Sequence, residues 1–107
     1  MKFILKSDKF RKLRGGYSRV IDISCFICDN HLFYYQKDGP GILKRTYFDR
    51  IINFKHSGKS NLVCSKCKEI IGIPIIYKKE KRPAFRLFEG SVKKRIIRMD
   101  RVRLKIT

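Results

Sequence analysis

A small, mainly β domain of antiparallel strands cross-linked by a bound metal ion is the fold that this chain predicts. Three observations lead there. The only four cysteines, Cys25, Cys28, Cys64 and Cys67, fall into two C-x-x-C pairs with 35 residues between them. The apolar residues lie in short runs that alternate with polar ones or are rich in β-branched and aromatic side chains. Clusters of Gly, Pro, Asp and Asn punctuate these runs as turns do. With 107 residues, there is material for one domain and a modest core, which a metal cross-link between distant turns would stabilise.

Two C-x-x-C turns can set four thiolates around one tetrahedral ion. Zinc suits the set because it is borderline-soft, redox-inert and satisfied by four sulfurs. One structural Zn2+ held by Cys25, Cys28, Cys64 and Cys67 is therefore expected. A thioredoxin-like redox site needs one C-x-x-C opening a helix in a βαβ unit, and no such pattern is present. With four cysteines available, His31, three residues after Cys28, is expected to be a strand residue and not a ligand.

The elements follow in order. Phe3-Ile4-Leu5 suits a short strand, and Arg14-Gly15-Gly16-Tyr17 reads either as a single RGG-type element or as a flexible connector. Residues 17–24 alternate, with Tyr17, Arg19, Ile21 and Ile23 on one face, and run into Cys25. Asp29-Asn30 turns the chain and His31–Gln36 returns it, so the first cysteine pair tips a β-hairpin. Lys37-Asp38-Gly39-Pro40-Gly41 is a dense turn signal. Residues 42–52 suit a strand, or a strand ending in a helical turn. Residues 55–61 read as a solvated loop: Gly58-Lys59-Ser60 resembles a phosphate loop only superficially, because the upstream glycine is missing. Leu62-Val63 leads into Cys64, and the β-branched run 70–77 reads as a buried strand interrupted by Pro74. Residues 84–88 and 92–97 suit short strands around a Glu89-Gly90 turn. Finally Val102, Leu104 and Ile106 alternate with Arg101, Arg103 and Lys105, a row of cations spaced about 7 Å apart on a strand. That row fits phosphates and also fits a protected sheet edge.

The expected organisation is one domain over 1–107, with a basic N-terminal arm (1–16), a zinc-binding β core (17–97) and a basic C-terminal strand or tail (98–107). Lys and Arg total 27 against 9 Asp and Glu, a formal charge of +18. The excess lies at the two ends: residues 1–20 carry 7 basic and 1 acidic side chain, residues 78–107 carry 12 and 3, and the middle is nearly balanced. Self-repulsion of this size favours a polyanionic partner, of which nucleic acid is the commonest. No apolar run approaches the roughly 18 residues of a membrane span, and no amphipathic basic helix or lipidation motif points to a membrane surface. The basic N-terminal stretch lacks the apolar segment of a secretory signal. Together with metal-type cysteine spacing, this predicts a reducing, cytoplasmic setting.

Cys64-Ser65-Lys66-Cys67-Lys68-Glu69-Ile70-Ile71-Gly72 and Phe85-Arg86-Leu87-Phe88-Glu89-Gly90-Ser91-Val92, with the long interval between the cysteine pairs, carry a resemblance. Over roughly residues 20–97 the chain resembles the β-tent zinc superfamily of Yippee proteins, the cereblon thalidomide-binding domain, methionine sulfoxide reductase B and the Rab-accessory zinc proteins. The resemblance implies two hairpin tips clamping one zinc between two antiparallel sheets; a zinc ribbon is the alternative fold. It does not imply the reductase activity, because no cysteine is left over for catalysis. Nor does it imply the ligand cage, because the chain has no tryptophan. Tyr34, Tyr35, Tyr47 and Phe48 are expected to fill the core.

The function expected is nucleic-acid binding, RNA in preference to DNA, in a ribosome- or ribonucleoprotein-associated role. No recognition-helix pattern is visible, and β surfaces with basic arms suit RNA. The contacts would come from Lys9, Arg11, Lys12, Arg14 and Tyr17 in the arm, from Lys37, Lys44 and Arg45, from Arg82 and Arg86, from Lys93, Lys94 and Arg95, and from Arg101, Arg103 and Lys105. Tyr17, Phe85 and Phe88 would offer stacking surfaces. The alternative is a β-tent adaptor that binds an acidic protein. Enzymatic activity is not expected: a four-cysteine site is closed to substrate, and no paired-carboxylate or Ser-His-Asp pattern is readable.

Overall fold

The computed structural model describes residues 4–6, 8–13, 18–52, 54–56, 58–97 and 105–106. In chain order the elements are β1 (Ile4–Leu5), α1 (Lys9–Leu13), β2 (Ser18–Cys25), β3 (His31–Asp38), β4 (Arg45–Tyr47), a 3-10 turn (Phe48–Arg50), β5 (Ile51–Ile52), β6 (Leu62–Val63), β7 (Ile70–Tyr77), β8 (Arg82–Leu87), β9 (Val92–Ile96) and β10 (Lys105–Ile106). The protein is mainly β, as its sequence predicts. Two four-stranded antiparallel sheets, ordered β5-β3-β2-β9 and β4-β8-β7-β6, form the body. A short parallel pair, β1 with β10, joins segments from opposite ends of the sequence. No helix among the described residues is long and apolar enough to cross a membrane.

The main core lies between the two sheets. Ile21, Ile23, Cys25, Phe33 and Tyr35 come from the first side, and Leu62, Cys64, Ile71 and Phe85 from the second. Tyr35 and Tyr47 are buried, with Tyr34 and Phe48 half-buried, as expected of core aromatics. The Tyr35 hydroxyl accepts the Tyr47 N–H at 2.9 Å, linking the sheets, and burial pushes its phenol well above the usual value. Leu5, Val20, Tyr34, Ile52 and Ile97 make a smaller cluster of their own. Leu5 is only 1% exposed, so the described part of the expected N-terminal arm is folded onto the body. Of the expected C-terminal strand, Lys105–Ile106 pairs with β1; Arg101 and Arg103 lie outside the described residues.

Residues 42–52 do not form one strand. β4 pairs with β8 in the second sheet, whereas β5 pairs with β3 in the first. The chain must therefore cross between sheets, and it does so through the 3-10 turn. Pro74 does not interrupt β7, which runs unbroken over Ile70–Tyr77. The Phe88 N–H to Ile71 carbonyl bond (2.9 Å) turns the Gly72 and Pro74 nitrogens toward β6. Pairing with β6 ends at Gly72, so the proline removes no ladder bond. Gly72 itself faces the β8 backbone: a Cβ there would stand 2.5 Å from the Arg86 carbonyl oxygen.

A buried polar network pins the crossing and the N-terminal segment together. Arg50, with its side chain 1% exposed, donates from Nε to Asp38 (2.9 Å) and from Nη2 to Asp8, and stands 3.6 Å from Asp49. These carboxylates outweigh burial and hold its pKa above the usual arginine value. Asp38 also accepts from Ser18 Oγ (2.7 Å) and Gln36 Nε2 (3.0 Å). The Gln36 amide bonds both the N–H and the C=O of Lys6, at 2.7 and 2.8 Å, and so continues backbone pairing by a side chain. Asp8 caps α1 by accepting the N–H of Phe10 and of Arg11, at 3.1 and 3.2 Å. Burial raises the Asp8 pKa, but Arg50 and these amides prevail and hold it below the usual range.

Candidate metal centre and charged faces

The two cysteine pairs occupy equivalent turns. In the first, Cys25 N–H bonds the Asn30 carbonyl (2.9 Å) and Asp29 N–H bonds the Cys25 carbonyl (3.0 Å). In the second, Cys64 N–H bonds the Glu69 carbonyl (2.9 Å) and Lys68 N–H bonds the Cys64 carbonyl (2.9 Å). Asp29 and Lys68 sit at matching left-handed positions, with φ of 63° and 66°. The first turn joins β2 to β3 and the second joins β6 to β7, so each pair belongs to a different sheet.

The four sulfurs lie within 4.8 Å of one another. Cys25 Sγ is 3.6 Å from Cys67 Sγ, and Cys28 Sγ is 3.5 Å from Cys64 Sγ. A tetrahedron with metal–sulfur bonds of about 2.3 Å has an edge of about 3.8 Å, so the cluster has the size of a metal shell. Asn30 Nδ2 spans the two turns, donating to Cys64 Sγ (3.7 Å) and Ser65 Oγ (3.4 Å). Burial raises the Cys64 thiol, but the backbone N–H groups of Cys67 and Lys66 and the neighbouring thiols prevail, leaving it at about 6. The Glu69 N–H favours a Cys67 thiolate, yet burial and three sulfur neighbours push that thiol up to about 12. Four adjacent sulfurs resist ionising together; a bound cation removes that resistance. The four-cysteine cluster is thus a candidate metal site.

The expected contact residues divide. Lys9 and Lys12 are exposed on α1, and Arg11 is half-buried there; Lys44 and Arg86 are also exposed, while Lys37 and Arg45 are half-buried. Lys93, Lys94 and Arg95 are exposed on β9, an edge of the first sheet. Lys93 pairs with Asp29 at 2.8 Å, and Arg95 with Asp22 at 3.3 Å. Asp22 also meets His31 Nδ1 at 2.6 Å. His31 is an exposed strand residue and stands outside the sulfur cluster. Arg14, Tyr17, Arg101 and Arg103 lie outside the described residues, and the Lys105 side chain is not described.

Two expectations are corrected. Phe85 is 1% exposed, in the core against Phe48 and His56, and offers no stacking surface. Arg82 is 4% exposed and bonds Asp49 (2.8 Å) and Glu80 (3.1 Å), so it cannot reach a phosphate. Its guanidinium lies between Phe10 (4.0 Å) and Tyr47 (3.7 Å). Phe88, by contrast, remains 45% exposed, and Phe26 at the first cysteine turn, which the alternation of the strands gives no means of finding, is 54% exposed. The buried role of Arg50 also carries no local signal, since Asp38 and Asp8 lie 12 and 42 residues away. Comparison of the chain with known protein families, curated proteins and solved structures gives no match.

Proposed function

We propose that the chain is a small zinc-stabilised β module that binds nucleic acid, RNA in preference to DNA, in a ribonucleoprotein such as the ribosome. Zinc is the ion best suited to four sulfurs with no open position, a closed structural arrangement. The placement of the two cysteine turns on hairpins of different sheets supports the β-tent resemblance over a ribbon.

The observation that carries the reading is how the few acidic side chains are used. Of 9 Asp and Glu against 27 Lys and Arg, four (Asp8, Asp38, Asp49 and Glu80) are engaged by two buried arginines, Arg50 and Arg82. The rest of the chain is more lopsided than the total charge suggests. A surface of this kind favours a polyanion through counterion release. Ultraviolet cross-linking in native cells, followed by purification and nuclease digestion, tests it. Label removed by ribonuclease alone is the expected result. Label removed only by deoxyribonuclease would move the function to DNA. An acidic protein that co-purifies after complete nuclease digestion, with no cross-linked nucleic acid, would replace the reading with an adaptor.

A further inference from the structure

We propose that Arg45 and Arg86 form a phosphate-binding site on the outer face of the second sheet, and that a phosphodiester of the RNA backbone occupies it; the occupant rests on the nucleic-acid reading above.

The site begins with a like-charge pair that no carboxylate among the described residues neutralises. Arg45 on β4 and Arg86 on β8 are direct cross-strand partners. The Leu87 N–H bonds the Lys44 carbonyl at 3.0 Å, which makes Arg45 and Arg86 a non-hydrogen-bonded pair. In such pairs the side chains leave the same face with Cβ atoms about 4.5–5.5 Å apart, and like charges so placed destabilise a sheet. Neither arginine makes an ion pair among the described residues. Two guanidinium groups carried at paired positions of neighbouring strands instead suit the non-bridging oxygens of a phosphate, to which each can donate charge-assisted hydrogen bonds.

Arg45 is also held in place. Its guanidinium lies 3.9 Å from the centre of the Tyr77 ring. Tyr77 meets Tyr47 edge-on at 6.2 Å, and Tyr47 in turn covers Arg82, whose far side rests on Phe10. The fully buried Ala84 lies opposite Tyr47 on β4 and Ile75 on β7, and its small side chain leaves room for these large groups to converge. A row of three rings and two cations thus runs from α1 to the sheet edge and ends on Arg45. Tyr77 is a positioning residue in this account: it orients the guanidinium and lowers the ordering cost of binding. On the other side of Arg86 its β7 partner is the half-buried Ile73, not a carboxylate.

The test compares the zinc-loaded parent with R45Q/R86Q and with K55Q/K66Q, which removes the same charge from two exposed lysines elsewhere. Binding to single-stranded oligouridylate is measured across a salt series. At about 0.1 M salt R45Q/R86Q should bind about fivefold more weakly for each phosphate lost, with the salt slope shallower by about 0.7 per phosphate. The control should lose less. Y77L should weaken binding in the same direction while Arg45 and Arg86 remain. A measurement without RNA runs beside it: inorganic phosphate, against chloride at equal ionic strength, should raise the melting temperature of the parent more than that of R45Q/R86Q. R86Q should melt above the parent in low-salt, phosphate-free buffer, because the repulsion is relieved. A parent that binds RNA no better than R45Q/R86Q does, with no phosphate-specific stabilisation, overturns the site and leaves the nucleic-acid reading standing. A parent that binds no RNA at any salt overturns the occupant and that reading together, and binding of polyglutamate in its place would identify an acidic protein as the ligand.

Discussion

Replacing Arg50 by Met should cost far more than an ordinary surface charge, and the geometry sets the amount. The Arg50 side chain is 1% exposed and faces Asp38, whose side chain is 4% exposed, at 2.9 Å. Removing one member of such a pair strands the other, typically at about 3–5 kcal/mol. Asp38 keeps its bonds from Ser18 and Gln36, Asp8 is exposed enough to regain water, and Met fills most of the volume. The low end, about 3 kcal/mol, is therefore expected. In urea, with a slope of about 1.2 kcal/mol per M, this is a midpoint shift of about 2.5 M. Urea unfolding of the zinc-loaded protein measures it. Adding D38N to R50M should restore a large part of the loss, because the introduced amide can keep the Ser18 bond without a buried charge. A loss below about 1 kcal/mol for R50M, well under the usual range for a stranded buried charge, or a further loss when D38N is added, would refute the reasoning.

Other outcomes follow from the same contacts. G72A should destabilise by about 1–3 kcal/mol, the usual cost of overpacking, because its Cβ meets backbone and not a flexible side chain; the urea midpoint reads this directly. Removing the metal with a strong chelator should abolish the cooperative transition seen by circular dichroism, and one equivalent of zinc should restore it, with C25S or C64S unable to recover. Asp8 has a folded pKa below its ordinary 3.8, so its contribution is fully present above that value and is lost as the pH falls through the depressed one. D8N should accordingly flatten the acid limb of a stability–pH profile below about pH 4, and an unchanged limb would remove Asp8 from the account.

Much of this architecture is legible in the sequence because its signals are local. The C-x-x-C spacing fixes each turn, and the alternation of Ile21, Ile23 and Cys25 fixes which face of β2 meets the other sheet. Alternation does not say whether the opposite face is also covered, so Val20 and Ser18, which alternation places away from the core, are in fact buried against the N-terminal segment and Asp38. The Arg50–Asp8 and Arg82–Asp49 pairs span 42 and 33 residues, and no periodicity announces such partners. Arg82 therefore reads as a surface cation in the sequence and is a buried one in the fold. Phe85 shows the same limit: a short strand with aromatics reveals a strand, not which aromatic faces inward.

The central claim, that this basic β module binds RNA through its phosphates, is tested most directly by the affinity of the zinc-loaded protein for single-stranded RNA over a salt series. If about six phosphates are neutralised, affinity should fall by roughly two to three decades between about 50 and 200 mM salt. A flat response over that range would contradict the claim.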